Sequence, residues 1–263
     1  MNYETLLLAI DGPVATITLN RPEARNSLSH QLVEDLLDFF QSIRNRRDVR
    51  VVVMRAAGKA FCAGGDIRDL TAPRTEAEEK AAIARVDTLL RAINRAPQVV
   101  VQRVHGAVLG GGIGLVCVSD IAIASASTRF GLPEVRLGIV PSLISPFVVQ
   151  RLGLTNARRW MLTGAQFDGR AALEVGLVHE VCDEAALDQR VSAIVQEVLQ
   201  CSPNALAECK KLLFEVLEVP DTLAYRVDLL NRLRRSDDGQ EGMRAFLEKR
   251  QAKWVPQSEA QGD

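Results

Sequence analysis

VVVMRAAGKAFCAGGDI, Val51 to Ile67, and VVVQRVHGAVLGGGIGL, Val99 to Leu115, share one plan: three valines, a spacer, an arginine, a glycine soon after, then a glycine cluster. Runs of β-branched residues suit strands buried on both faces. Glycine lets the chain turn sharply and lets backbone N–H groups approach a ligand with no side chain between. Two such turns can each aim one N–H at a single oxygen. That arrangement is an oxyanion hole, and it implies acyl or enolate chemistry. Valine triplets alone are common in ordinary buried strands, so the repeat gains weight only from its surroundings.

On the N-terminal side, Leu6–Ile10 and Val14–Leu19 predict two short strands around the turn Asp11-Gly12-Pro13. The polar turn NRPEARNSLS follows. Ser29 can cap a helix over His30–Arg46, where Leu32, Val33, Leu36, Leu37, Phe40 and Ile43 recur at helical spacing. Val49–Arg55 predicts a buried strand, Glu76–Ala96 a long helix and Val99–Val104 the matching strand. Ile113–Val118 predicts a helix starting at Gly111-Gly112, and Asp120–Ala124 another strand. Strand and helix alternating with repeated turns imply a layered or spiral α/β core. Beyond Asp183 the pattern is helical: Glu184–Leu199, Pro203–Leu217 after the capping Ser202, Thr222–Leu233 after the stop at Pro220, and Gln240–Lys253. The polar tail VPQSEAQGD reads as frayed.

Composition narrows the function classes. The chain has 263 residues, 47% hydrophobic and 25% charged, as in an ordinary globular protein. A net charge of −1 offers no whole-chain attraction for nucleic acid or acidic membranes. No apolar run approaches a spanning length, and MNYETLLLAIDG lacks the pattern of a signal peptide or transit sequence. Five scattered cysteines with no CxxC pair imply free thiols in a reducing compartment, and so a cytoplasmic protein. GGGIG departs from GxGxxG at Leu115, and Gly58-Lys59 lacks the rest of a phosphate loop, which argues against dinucleotide or ATP binding. There is no GxSxG or HExxH. His30, His105 and His179 have no paired spacing, and no metal is expected.

The remaining acid–base candidate is Glu134, in FGLPEVRLGIVP, Phe130 to Pro141. Apolar residues, glycines and prolines around a carboxyl group desolvate it and raise its pKa towards a useful range. Taken alone, the same residue reads as a helix-start glutamate favoured by the dipole.

It does not stand alone. The blocks NRPEARNSLS, AGKAFCAGGDI, GAVLGGGIGLVCVSDIAIAS, FGLPEVRLGIVP, TGAQFDGRAALEVGLVHEV and EGMRAFLEKRQAKW, in that order, resemble the enoyl-CoA hydratase/isomerase (crotonase) superfamily nearly end to end. The resemblance implies a spiral of ββα turns over residues 1–200 and a helical trimerisation region over 201–263. It implies a homotrimer or a dimer of trimers. It assigns the Gly65 and Gly111 N–H groups as the donors that hold a thioester oxygen as it becomes an enolate, and Glu134 as the acid–base group. It places Ala63, Asp66 and Ile67 along the CoA path and Arg25 where the NRP turn meets the nucleotide. Phe246 and Lys249 resemble C-terminal contacts to CoA, reaching a neighbouring subunit's ligand. No cofactor is implied, since CoA belongs to the substrate.

One departure matters. Two-glutamate hydratases of this superfamily carry a first glutamate in GGGxE, where this chain has Gly114, and a second that is kept as Glu134. The usually glycine-rich segment after the PE block is PSLISPF, with Ser142 in place of a glycine. A missing carboxylate at 114 implies opened volume near the substrate's C3 and relief of repulsion against a carboxylate on the substrate. The blocks GIGLVCVSD and PEVRLGIVPSLISPFVVQRLG are most similar to bacterial hydratases of leucine and acyclic-terpene breakdown. That similarity implies hydration of a branched glutaconyl-CoA, isohexenylglutaconyl-CoA ahead of 3-methylglutaconyl-CoA, with Arg136 a candidate for the substrate carboxylate. Two alternatives stay open. One is an enoyl-CoA isomerase, for which one glutamate suffices. The other is an RNA-binding relative, for which the four arginines of Arg44–Arg50 are a local basic cluster more simply read as a solvated helix end.

Overall fold

The structure, a computed structural model, describes residues 2–219 and 222–257. The predicted stop at Pro220 and the tail from Ser258 onward lie outside the described residues.

The elements run β1 (Leu6–Asp11), β2 (Val14–Leu19), α1 (His30–Ile43), β3 (Val51–Ala56), β4 (Ala60–Cys62), α2 (Ile67–Thr71), α3 (Glu76–Asn94), β5 (Val99–Val104) and β6 (Ala107–Leu109). They continue with α4 (Gly111–Cys117), β7 (Ile121–Ser125), β8 (Arg129–Gly131), a 3-10 turn over Pro133–Leu137, α5 (Ser145–Thr163), β9 (Gln166–Asp168), α6 (Gly169–Glu174) and β10 (Glu180–Cys182). Four helices close the chain: α7 (Leu187–Leu199), α8 (Pro203–Glu218), α9 (Leu223–Arg235) and α10 (Asp237–Leu247).

The valine triplets decide the topology. Val51, Val52 and Val53 pair in parallel with Val99, Val100 and Val101, so the repeat seen along the chain is a register in space. The larger sheet has the order β1-β2-β3-β5-β7-β10, parallel except for the β1–β2 hairpin. A smaller sheet, β4-β6-β8-β9, stands beside it. Each long strand is followed by a short one in the second sheet, as β3–β4, β5–β6 and β7–β8, and the chain then returns towards the larger sheet. This is the expected α/β crotonase spiral of ββα turns.

Alternation along β3 explains burial on both faces. Val52 and Met54 join the core beneath α1 and α3, whereas Val51 and Val53 pack with Val191, Ile194 and Val195 of α7. Helix α8 is tied to the sheet by Lys210, whose Nζ donates to Asp120 Oδ2 at 2.6 Å and to the Gln98 carbonyl at 3.2 Å. The last helix begins earlier than expected. Ser236 caps it by accepting the Gly239 N–H, and it ends at Leu247 rather than Lys253.

Candidate active site

Two glycine turns meet at the end of the smaller sheet. The first follows β4. Leu28 N–H donates to the Gly64 carbonyl at 2.7 Å and Asp66 N–H donates to the Leu28 carbonyl at 3.1 Å. Those two bonds form the parallel bridge between Leu28 and Gly65, so the Gly65 N–H faces away from Leu28. The second turn precedes α4, where Gly111 is the first helical residue and its N–H has no partner in its own helix. Among the described residues neither N–H donates to another backbone group.

Close approach requires glycine at the first turn. Gly64 has φ +99, and a Cβ there would stand 3.0 Å from the Leu109 carbonyl oxygen and 3.7 Å from the Gly111 nitrogen. A Cβ on Gly111 would lie 3.8 Å from the Gly65 nitrogen. The two amides are therefore neighbours, Gly65 exposed and Gly111 half-buried.

Glu134 completes the group. Pro133 opens its 3-10 turn, and a Cβ on Gly110 (φ +48) would come within 2.8 Å of Glu134 Oε1. Oε2 is buried with no hydrogen-bond partner. Burial pushes the Glu134 carboxyl above the usual carboxylate range, offset in part by its own N–H. The helix-start reading and the catalytic reading thus describe one residue: a first-turn glutamate whose acid group is left unneutralised beside two free amides.

The Asp66 side chain is engaged within the protein. Its Oδ2 accepts from Ser27 Oγ at 2.9 Å and Arg21 Nη2 at 3.1 Å, and its Oδ1 accepts the Arg68 N–H at 3.1 Å. Burial alone would raise its pKa, but these bonds outweigh it and hold the carboxyl below its ordinary value. The side chain turns inward and braces the Gly64-Gly65 turn. Asp66→Ala should therefore cost about 1–3 kcal/mol of stability, read as a lower denaturant midpoint with an unchanged slope.

Ala63, whose N–H donates to the Arg25 carbonyl at 3.1 Å, is half-buried beside that turn. Arg25 is exposed with φ 52, and Ile67 is 68% exposed. These three border the paired amides. Phe246, 83% exposed, and Lys249 lie on and just past α10, which packs mainly on α9, so within one chain they belong to a different region.

Gly114 requires a correction. It opens no volume: a Cβ there would stand 2.3 Å from Ile144 Cγ2 and 3.1 Å from Ile144 Cβ, so an aliphatic side chain already fills the place. Ser142 is exposed, and its carbonyl accepts from Ser145 Oγ at 2.9 Å, so it is the neighbouring Ile144 that faces Gly114. Sequence order hid this, because nothing in PSLISPF marks which residue turns towards α4. Arg136 is exposed and held at the end of α5. Its Nε and Nη2 donate to the Thr163 carbonyl at 3.3 and 3.4 Å.

Residues outside the site have structural partners. His105 Nε2 lies 2.9 Å from the Gly58 carbonyl, and His179 Nδ1 accepts the Ala122 N–H at 3.0 Å. Within the arginine cluster, Arg50 is buried and donates to the carbonyls of Leu199, Cys201 and Trp254, while Arg46 pairs with Asp48. Of the four arginines only Arg44 and Arg47 then remain as exposed charges for a phosphate backbone. Among the described residues no helix is long and apolar enough to cross a membrane.

Comparison with known proteins gives the family. Residues 9–257 match the family model for enoyl-CoA hydratase/isomerase. A probable enoyl-CoA hydratase of Bacillus subtilis is 31% identical over 247 residues, covering 92% of this chain and 95% of the relative. A trans-2-decenoyl-[acyl-carrier-protein] isomerase of Streptococcus mutans is 29% identical over 265 residues, covering 97% and 99%. The solved structure of Pseudomonas aeruginosa AtuE superposes with a TM-score of 0.94 at 44% identity, covering 96% of this chain and 100% of that one. The chain belongs to the enoyl-CoA hydratase/isomerase family, whose members act on CoA thioesters without an additional cofactor.

Proposed function

We propose that this chain is a hydratase adding water across the 2,3 double bond of a branched glutaconyl-type CoA thioester, isohexenylglutaconyl-CoA ahead of 3-methylglutaconyl-CoA, in acyclic-terpene or leucine breakdown. One observation carries it: a single desolvated carboxyl group, with an oxygen that no other residue engages, stands beside two unclaimed amides. The thioester oxygen lies between the Gly65 and Gly111 N–H groups. Water loses a proton to Glu134 as its oxygen bonds to C3, and the alkene electrons move through C2 onto the thioester oxygen. That charge is what the paired amides stabilise. The enolate then takes the proton from Glu134 at C2, which restores the carboxylate. With no carboxylate at position 114, a carboxylate on the substrate meets no like charge there, and the methyl groups of Ile144 suit an apolar branch.

Arg25, Ala63 and Ile67 border the route for CoA in this reading. Phe246 and Lys249 serve a neighbouring subunit of a trimer or hexamer. Exposure of Leu213, Leu217, Leu230, Phe246 and Leu247 on the terminal helices supports that assembly. A cytoplasmic location rests on the unpaired cysteines, of which Cys62 and Cys117 are buried thiols.

A second reading is enoyl-CoA isomerisation. It is favoured by the aliphatic side chain over Gly114 and by the Streptococcus mutans relative's activity. One carboxyl group suffices to move a proton between C2 and C4. Turnover in heavy-oxygen water separates the two. Label in a C3 hydroxyl is the expected result, whereas an unlabelled, shifted alkene overturns hydration and establishes isomerisation.

A further inference from the structure

We infer that Gln102 is a positioning residue of the active site: from the middle of the larger sheet it holds α4, and with it the Gly111 N–H, in place for the thioester oxygen. The inference rests on the reading of Gly111 as one of the two oxyanion donors, but not on whether water is added or a double bond moved.

Gln102 is the spacer of the second valine repeat, where the first repeat has Met54. The two are register partners in β5 and β3, and on its other side Gln102 pairs with Ala122 of β7. A fully buried amide thus sits between apolar neighbours in a central strand. Such a group is costly unless its polar atoms are bonded. Nε2 donates to the Leu115 carbonyl of α4 at 2.8 Å. Among the described residues Oε1 is buried with no hydrogen-bond partner.

The bond to Leu115 meets a need of α4 itself. That helix has 7 residues and is buried from Gly112 to Cys117, so its last carbonyls cannot turn to water. Gly114 accepts the Val118 N–H at 3.2 Å. Val116 accepts both the N–H and the Oγ of Ser119, at 3.2 and 2.8 Å. The Leu115 carbonyl, passed over by Ser119, is left to Gln102. Leu115 lies one turn from Gly111 within α4, so the held carbonyl and the oxyanion donor belong to one short helical unit. A central strand is a firmer support than a loop for a donor whose placement sets the rate.

Gln102→Met removes the donor at nearly constant volume, and Gln102→Leu is a second apolar variant. Parent and variants alike bury one unpaired oxygen here, Oε1 in the parent and the Leu115 carbonyl in the variants. Tm should therefore change by no more than about 5 °C. In both variants kcat should fall about tenfold, less than the loss of a whole donor, with affinity for butyryl-CoA within about threefold of the parent. The direct readout is the carbonyl stretch of bound butyryl-CoA, isotope-labelled at the thioester carbon and followed by difference infrared spectroscopy. Bound to the parent, the stretch should lie below its value in water, because the paired amides polarise the carbonyl. In Gln102→Met and Gln102→Leu it should move part of the way back. A stretch and kcat unchanged in both variants overturn the positioning role, and so does a fall in Tm with an unchanged stretch. A parent stretch no lower than in water overturns the oxyanion reading, and the positioning role with it.

Discussion

Glu134→Gln should lower kcat for enoyl-CoA turnover by about 10³-fold while leaving affinity for an unreactive CoA thioester within a few-fold of the parent. Glutamine keeps the shape of the side chain and cannot exchange a proton at the working pH. The paired amides and the CoA route do not pass through this residue, so binding survives, and calorimetric titration beside steady-state rates separates the two quantities. The pH dependence follows from the direction of the shift. Burial raises the Glu134 pKa above its ordinary value near 4.5, and the carboxylate is the form that accepts a proton. The parent's kcat/KM should therefore fall as pH drops through that raised value, and the residual activity of Glu134→Gln should lack this limb.

Stability should move in the opposite sense. A carboxyl group whose pKa is raised on folding ionises more readily in the unfolded chain, which disfavours the folded state as pH rises between the two values and above them. Glu134→Gln should thus melt higher than the parent at pH 7. The gain should shrink as pH is lowered towards the ordinary carboxylate range, where Glu134 is protonated in both states. A variant with full activity would place the acid–base group elsewhere.

Gly111→Pro should lower kcat/KM by about 10²–10³-fold, the usual loss when one oxyanion donor is removed. Gly111 is the first residue of α4, where proline is accepted because its missing N–H has no helical partner. Gly110, with φ 48 and ψ −117, is not helical, as the residue before a proline requires. The matched control is Gly111→Ala. Both variants place a Cβ 2.7 Å from Leu28 Cδ1, the end of a flexible side chain, but only alanine keeps the N–H. Alanine should retain most of the turnover. Equal losses in the two variants would mean that crowding against Leu28, rather than the lost donor, causes the defect.

Much of the fold was legible because its signals are local. Val99–Val104 is a strand with the expected limits, and its register with Val51 follows the valine repeat. Ser29, Ser202 and Pro203 mark helix starts that the structure keeps, with Ser29 accepting the Leu32 N–H and Ser202 the Ala205 N–H. The start of α10 was missed because Gly239, a poor helix former, sits in its first turn and masks the cap at Ser236. Helix α5 carries little sequence signal: Pro146 stands in its first turn, and Gly153, with φ 71, interrupts it.

In the site, the glycine clusters and the isolated acid in FGLPEVRLGIVP could be found by their composition alone. The roles of Asp66, Arg136 and Ile144 could not. Asp66 looks like an exposed carboxylate at the mouth of a turn until Arg21 and Ser27 are seen to claim it. Gly114 looks like an opened space until Ile144 is seen to fill it.

Local sequence alone carries the repeated strand-and-turn unit, the helical C-terminal third and the two glycine turns. These are properties of residues close together in the chain, written as periodicity and backbone freedom. Folding of the whole chain sets the Gly65 and Gly111 amides side by side, turns the Asp66 carboxylate onto Arg21 and Ser27, and covers position 114 with hydrocarbon. Those outcomes depend on which side chains from distant segments compete for the same few cubic ångströms, and close packing settles that competition only once the whole chain is folded.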